Sequence, residues 1–287
     1  MKFSVVGIVS AAFILSQGCS SQKNQTQTQH EHHSMTQGRE GTKSTMTDSE
    51  KHEQQSPTQA KLIVPPEIKS TQSVPLAINI QDKAGKAVNS FDSFQDKQMH
   101  LIVVSDDLRF FQHVHPTFKG NGRFEVNPDF PAPGSYTLFS DYKPAGEKEQ
   151  VSVEKLTIPG NVPLPTELEK FSNTKILAGT KVNLKFAEAN IKAGKEVKLS
   201  FDLEEAAKNQ PVKDLQPYLG EKGHLVIVRS SSPLTVSDYI HAHALKDSSP
   251  GQVNFMSSFP QKGTYKLWLQ FNRNGKVNTA DFWVNVI

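Results

Sequence analysis

The sequence predicts an all-β protein, two tandem immunoglobulin-like antiparallel β-sandwich domains behind a disordered N-terminal tether. Three observations carry that expectation. From residue 61 onward, short runs alternate apolar and polar residues, and Gly, Pro, Asn and Asp punctuate them, as sandwich strands and their turns require. No long stretch with a helical apolar period competes; only residues 203–210, LEEAAKNQ, read as a helical turn. The second half of this region then repeats the first.

Residues 1–19 read MKFSVVGIVSAAFILSQGC, with Lys2 ahead of an apolar run from Phe3 to Leu15. The run is too short for a hydrocarbon core of about 30 Å and suits a secretory signal. It ends just before Cys19, the one cysteine of the chain. The segment resembles a bacterial lipoprotein signal, although Ser16 stands where such signals usually carry leucine. The resemblance implies cleavage before Cys19, lipidation of that residue and an extracytoplasmic protein anchored to a bacterial membrane. An ordinary secretory signal is the alternative. A single cysteine excludes an internal disulfide, zinc ribbons and iron–sulfur clusters, and leaves the folded part without the thiolate of a blue-copper site.

Residues 20–60 are rich in Gln, Ser, Thr, Lys and Glu. They bury too little to offset the entropy of ordering, so they are expected to form a flexible tether. His30, His32, His33 and Met35 lie there, either as a loose metal-catching cluster or as incidental residues of a polar linker.

Residues 61–158 form the first expected sandwich, with strands at 74–80, 100–104, 123–126, 135–139 and 151–158. Residues 159–172 contain the proline-rich PGNVPLPT, an expected semi-rigid linker. The second sandwich, residues 173–287, has expected strands at 181–186, 195–203, 224–228, 252–259, 264–271 and 279–286. The copies keep register. Val74, Leu76 and Ile80 align with Val197, Leu199 and Leu203, and Phe130-Pro131-x-x-Gly134-x-Tyr136 aligns with Phe259-Pro260-x-x-Gly263-x-Tyr265. The two tyrosines, each two residues after a turn glycine, resemble the corner of a sandwich. Expected core positions are Leu101, Val103, Phe124, Tyr136 and Leu138, with Leu225, Ile227, Val253, Tyr265 and Leu267 as counterparts. Each domain is expected to carry its own core, so that core damage stays local.

Each copy also carries a histidine cassette. His100 leads an apolar run that is followed by His113 and His115; His224 leads another, followed by His241 and His243. The remaining histidines, His30, His32, His33 and His52, all precede residue 61. Together with the downstream FPxxGxY element, the cassette is similar to secreted bacterial YtkA-like, immunoglobulin-like proteins, which often carry an HLHP-type segment where this chain has His113-Val114-His115-Pro116. That resemblance implies an immunoglobulin-like fold and suggests handling of metal, copper above all, outside the cytoplasm. Copy two departs from it, with Ala244 in place of the proline.

In a strand, residues two apart share a face. If each cassette is an antiparallel hairpin with an even-length loop, near Asp107–Leu108 or Pro233–Leu234, all three histidines fall on one face in both copies. The second loop is longer by four residues, so parity is kept. Met99 alternates to the opposite face and is not counted as a ligand. Three neutral imidazoles suit Cu(II), Zn or Ni. Catalysis would need a nearby general base, and Asp106, Asp107 and Asp238 in the connecting loops are weak candidates, so no enzyme is expected. A copper–zinc superoxide dismutase would need further histidines and a disulfide that this chain lacks. The expected function is buffering or delivery of copper or zinc by a three-histidine site in each repeat, on a lipid-anchored protein with a protein partner in the cell envelope. The alternative is an envelope adhesion or assembly module whose histidines are structural. A net charge of +3 with interspersed lysines and acids argues against nucleic acid.

Overall fold

In a computed structural model, residues 57–68, 72–162, 171–242, 244–246 and 248–287 are described. Cys19, the tail histidines, most of the expected linker and His243 lie outside the described residues.

The first repeat contains β1 (Thr58–Ile63), β2 (Gln72–Ser73), β3 (Leu76–Asp82), β4 (Met99–Ser105), β5 (Phe111–Val114), β6 (Thr117–Phe118), β7 (Arg123–Val126), β8 (Asp129–Phe130), β9 (Gly134–Tyr142) and β10 (Gln150–Ile158). The second contains β11 (Thr174–Leu177), β12 (Thr180–Phe186), β13 (Glu196–Glu205), β14 (Gln210–Pro211), β15 (Leu215–Gln216), β16 (His224–Arg229), β17 (Tyr239–Ala242), β18 (Gln252–Ser258), β19 (Gly263–Arg273) and β20 (Lys276–Val286). Repeat one stacks sheet β1-β3-β7-β6 on sheet β10-β9-β4-β5. Repeat two stacks β11-β12-β13-β14, with β18 on β13, on β15-β19-β16-β17, with β20 on β19. The fold is the expected pair of antiparallel sandwiches.

Two local expectations fail. β1 begins at Thr58, inside the segment read as tether, because it pairs with β3 along its whole length. Residues 203–205 continue β13 rather than starting a helical turn. Leu203 is needed in the core, Glu204 pairs with Lys181 at 2.9 Å, and tertiary packing overrides the helical propensity of LEEAA.

Alternation along the strands fills an inner core in each repeat. Leu101, Val103, Phe124, Tyr136 and Leu138 meet in the first, and Leu225, Ile227, Val253, Tyr265 and Leu267 in the second. All ten expected core positions are buried. The tyrosine corners form as well. Tyr136 Oη donates to the Ala132 carbonyl and Tyr265 Oη to the Gln261 carbonyl, each at 2.7 Å. Gly134 and Gly263 ahead of them sit at φ 143° and 137°, where a side chain is strained.

A third cluster joins the two repeats. The other face of β4, β5 and β9 packs on the other face of β16, β17 and β19. Ile102, Val104, Phe139, Val226, Val228, Tyr239 and Trp268 make a third buried cluster, with Phe111 against it. Phe111 stacks on Trp268 at 4.7 Å and Phe139 on Tyr239 at 4.9 Å. Glu53–Ile287 accordingly forms one compact unit. Each repeat has its own core as expected, and the apolar junction adds a contact between them on the face that an isolated sandwich would leave in water.

A candidate metal centre between the repeats

The same junction face carries the histidines. In β4–β5, Ile102 pairs with His113 and Leu101 with Val114, so His100, His113 and His115 share a face. In β16–β17, Val226 pairs with His241, which puts His224 and His241 on the corresponding face. The hairpin loops, 105–110 and 229–238, are both even in length. The loop acids are occupied elsewhere. Asp106 accepts from Thr137, Asp107 from Ser105 and Arg109, and Asp238 from Arg229, Ser231 and Thr235. Met99 lies in the inner core.

Because the two faces pack together, the five described histidines meet. One ligand atom each from His100, His113 and His115 lie within 4.8 Å of one another. Across the junction the ring centres of His113 and His224 are 4.6 Å apart, those of His100 and His224 5.9 Å, and those of His100 and His241 5.8 Å. The first trio therefore adjoins His224 and His241 instead of standing apart from them in its own domain.

The hydrogen bonds fix which nitrogens face inward. His100 Nε2–H donates to the Phe94 carbonyl at 3.1 Å. His113 Nδ1–H donates to Gln270 Oε1 at 2.7 Å. A neutral imidazole has one N–H. With the Gln270 amide oxygen turned to His113, the facing atoms, His100 Nδ1 and His113 Nε2, present two lone pairs 3.0 Å apart. His241 Nδ1–H donates to Asp141 Oδ2 at 2.9 Å, and its Nε2 lies 2.9 Å from His224 Nε2 and 2.9 Å from the Gln95 amide oxygen. His115 Nε2 and His224 Nδ1 are buried with no hydrogen-bond partner.

Burial sets the protonation. Desolvation holds His100 at about 4 and His115 at about 3, against an ordinary 6.5, and holds His113 and His224 well below it. Neighbouring imidazoles add to the depression in each case. His100, His113, His115 and His224 are therefore neutral at pH 7, the state in which imidazole ligates metal. Opposed lone pairs repel unless a cation lies between them, and burial disfavours a proton in that role. Two nitrogens about 2.0–2.1 Å from one ion are about 2.9 Å apart at a right angle, a spacing the His100–His113 pair meets.

Two tight turns close one end of the cluster. Phe94 and Lys97 bridge across Gln95 and Asp96, and Tyr218 and Glu221 bridge across Leu219 and Gly220. Gln95, Asp96 and Leu219 all have positive φ, an uncommon conformation for residues with side chains. Between the turns lies a cavity of about 370 Å³ lined by Ser93, Gln95, Asp96, Leu219, Gly220 and Glu221.

Asp141, Gln270, Phe94 and Gln95 escape sequence reasoning because their role depends on the docking of the repeats. One signal was present. HLIVV and HLVIV are unbroken apolar runs, whereas a sandwich strand with one wet face alternates. Burial on both faces from Met99 to Val104 is what the run encodes.

Fold and site together define a tandem immunoglobulin-like protein with a histidine cluster at the junction of its repeats. The chain belongs to the family described as Domain of unknown function (DUF8832), whose model matches residues 55–157 and again 174–287. No curated protein matches the sequence. Among solved structures, a Salmonella alpha-2-macroglobulin mutant is similar at 14% identity and TM-score 0.26, over 80% of this chain and 15% of that one. The Yersinia pseudotuberculosis adhesin InvE is similar at 10% identity and TM-score 0.26, over 79% of this chain and 59% of that one. A two-domain fibronectin type-III segment of chicken tenascin is similar at 11% identity and TM-score 0.23, over 78% of this chain and 97% of that one. The chain thus spans 15% and 59% of the first two, less than two thirds of either. Likenesses at this level carry no functional argument, and the fold rests on the sheets described above.

Proposed function

We propose that this is an extracytoplasmic, lipid-anchored protein that binds copper or zinc through its junction histidines and buffers or delivers the ion. The observation that carries the reading is the convergence of ring nitrogens, His100 Nδ1 and His113 Nε2 facing each other 3.0 Å apart beside the buried, partnerless His115 Nε2. His100, His113 and His115 would hold the ion from repeat one, and His224 and His241, with His243, from repeat two. All-nitrogen donors match borderline cations such as Cu(II) and Zn(II). The likeness of the cassette to YtkA-like proteins supports the same reading, and the signal segment ending at Cys19 supports the location and the anchor. The loop acids that a catalytic reading would need are bonded to groups outside the histidine cluster, Asp106 to Thr137, Asp107 to Ser105 and Asp238 to Arg229.

The test is a metal count by mass spectrometry on the purified chain, with and without added Cu(II) or Zn(II), followed by calorimetric titration with Cu(II), Cu(I) and Zn(II). Saturable, stoichiometric binding is expected. Absence of binding with all three would sink the proposal and leave an envelope assembly module with structural histidines.

A further inference from the structure

Each repeat holds the histidines of the other. His113 of repeat one donates to Gln270 of repeat two, and His241 of repeat two donates to Asp141 of repeat one. The two pairs are equivalent. Asp141 lies opposite His100 in the β4–β9 ladder, and Gln270 opposite His224 in the β16–β19 ladder. The aromatic stacks cross in the same way, Phe111 on Trp268 and Tyr239 on Phe139. Val104 pairs with Phe111 as Val228 pairs with Tyr239, and Ile102 with Phe139 as Val226 with Trp268. This is the self-complementary contact of a twofold dimer, made within one chain.

We infer that the histidines form one interdomain centre for a copper- or zinc-class cation, not two centres of one repeat each, and that Asp141 and Gln270 are its positioning residues. The inference rests on the metal-binding reading above. For His113 and His241, neither repeat alone supplies both the imidazole and the group that fixes its tautomer. The outward Nδ1–H bonds turn Nε2 of His113 and of His241 inward, where the rings of His113 and His224 approach to 4.6 Å and those of His224 and His241 to 4.8 Å. The halves are inequivalent in one respect. A carboxylate behind an imidazole raises its basicity as a ligand and adds a buried negative charge, which the amide of Gln270 does not. The Asp141–His241 half is therefore the stronger donor, and removal of its charge weakens binding without removal of a ligand.

The experiment titrates Zn(II) and Cu(II) into the full chain as wild type, His113→Ala, His241→Ala, Asp141→Asn and Gln270→Leu. Asp202→Asn, on the outer sheet of repeat two with Lys185 and Gln252, is the control. Each histidine change is expected to weaken all tight binding, and Asp141→Asn to lower affinity about 10–100-fold while the metal-free melting temperature holds. Asp202→Asn should bind as wild type. A full-affinity equivalent surviving in both His113→Ala and His241→Ala would overturn the single centre, and unchanged affinity in Asp141→Asn would overturn its positioning role. A second readout needs no metal. Nitrogen-15 NMR in chelator should show His113 and His241 as Nδ1–H tautomers, with the His241 signal moving in Asp141→Asn; Nε2–H tautomers at both would refute the assignment. No binding by the wild type sinks the metal reading and this centre together, whereas a surviving equivalent sinks this inference alone.

Discussion

At the scale of single residues, the cluster trades stability for neutral ligands. Unfolded, each imidazole takes up a proton near pH 6.5. Folded, burial delays that step to about 4 for His100 and about 3 for His115. Between those limits the unfolded chain binds more protons, so the metal-free protein must lose stability as pH falls from about 6.5 towards 4. Each pH unit of that window weighs about 1.4 kcal/mol per group, which makes His100 alone worth about 3 kcal/mol. Thermal midpoints in chelator at pH 7 and pH 4.5 check this, and His100→Asn should reduce the difference without abolishing it, since His113, His115 and His224 are depressed as well; a flat wild-type profile would contradict the burial. The same depression shifts proton competition with metal below the ordinary histidine range. Binding should persist at pH 5.5, where exposed histidines have largely lost their lone pairs, and titrations at pH 7 and 5.5 measure it.

At the scale of elements, the strands and their corners obey local rules. Each tyrosine corner joins the start of β9 or β19 to the loop before it through one hydrogen bond to a carbonyl. Tyr136→Phe leaves the Ala132 carbonyl without that donor and should cost about 1–3 kcal/mol, read from denaturant midpoints. Tyr265→Phe should cost a similar amount, since the geometry is the same in both copies. The eleven main strands and the parity of the hairpins were legible in the sequence because alternation and turn residues are local signals. β1 and the end of β13 were not. β1 has little apolar character of its own and is a strand because β3 offers it an edge.

At the scale of the whole molecule, the junction sets cooperativity. Trp268 and Phe139 are buried between the repeats, so the two sandwiches should unfold together in one calorimetric transition. Trp268→Ala removes a stacked ring at a cost of about 3–5 kcal/mol and should split that transition in two while each inner core survives. Two transitions already present in the wild type would show that the junction contributes little. The position of the molecule in the cell has its own test. Several acyl chains hold a protein firmly to a membrane and one holds it marginally. Cys19→Ala is therefore expected to move the protein into the soluble fraction; retention with membranes after a salt wash would count against the anchor.

The sequence by itself determined the fold class, the duplication, the inner cores and the common face of His100, His113 and His115 in one hairpin and of His224 and His241 in the other. These follow from period-two alternation and from register, which act within one repeat. Only the tertiary structure decided that His100, His113 and His115 would meet His224 and His241, and that Asp141 and Gln270 would stand behind the opposite repeat's rings. Alternation tells which face a side chain takes, but it is silent on what covers that face. The covering came from Phe111, Phe139, Tyr239 and Trp268, whose stacking partners lie more than 90 residues away in the chain, beyond the reach of any local pattern.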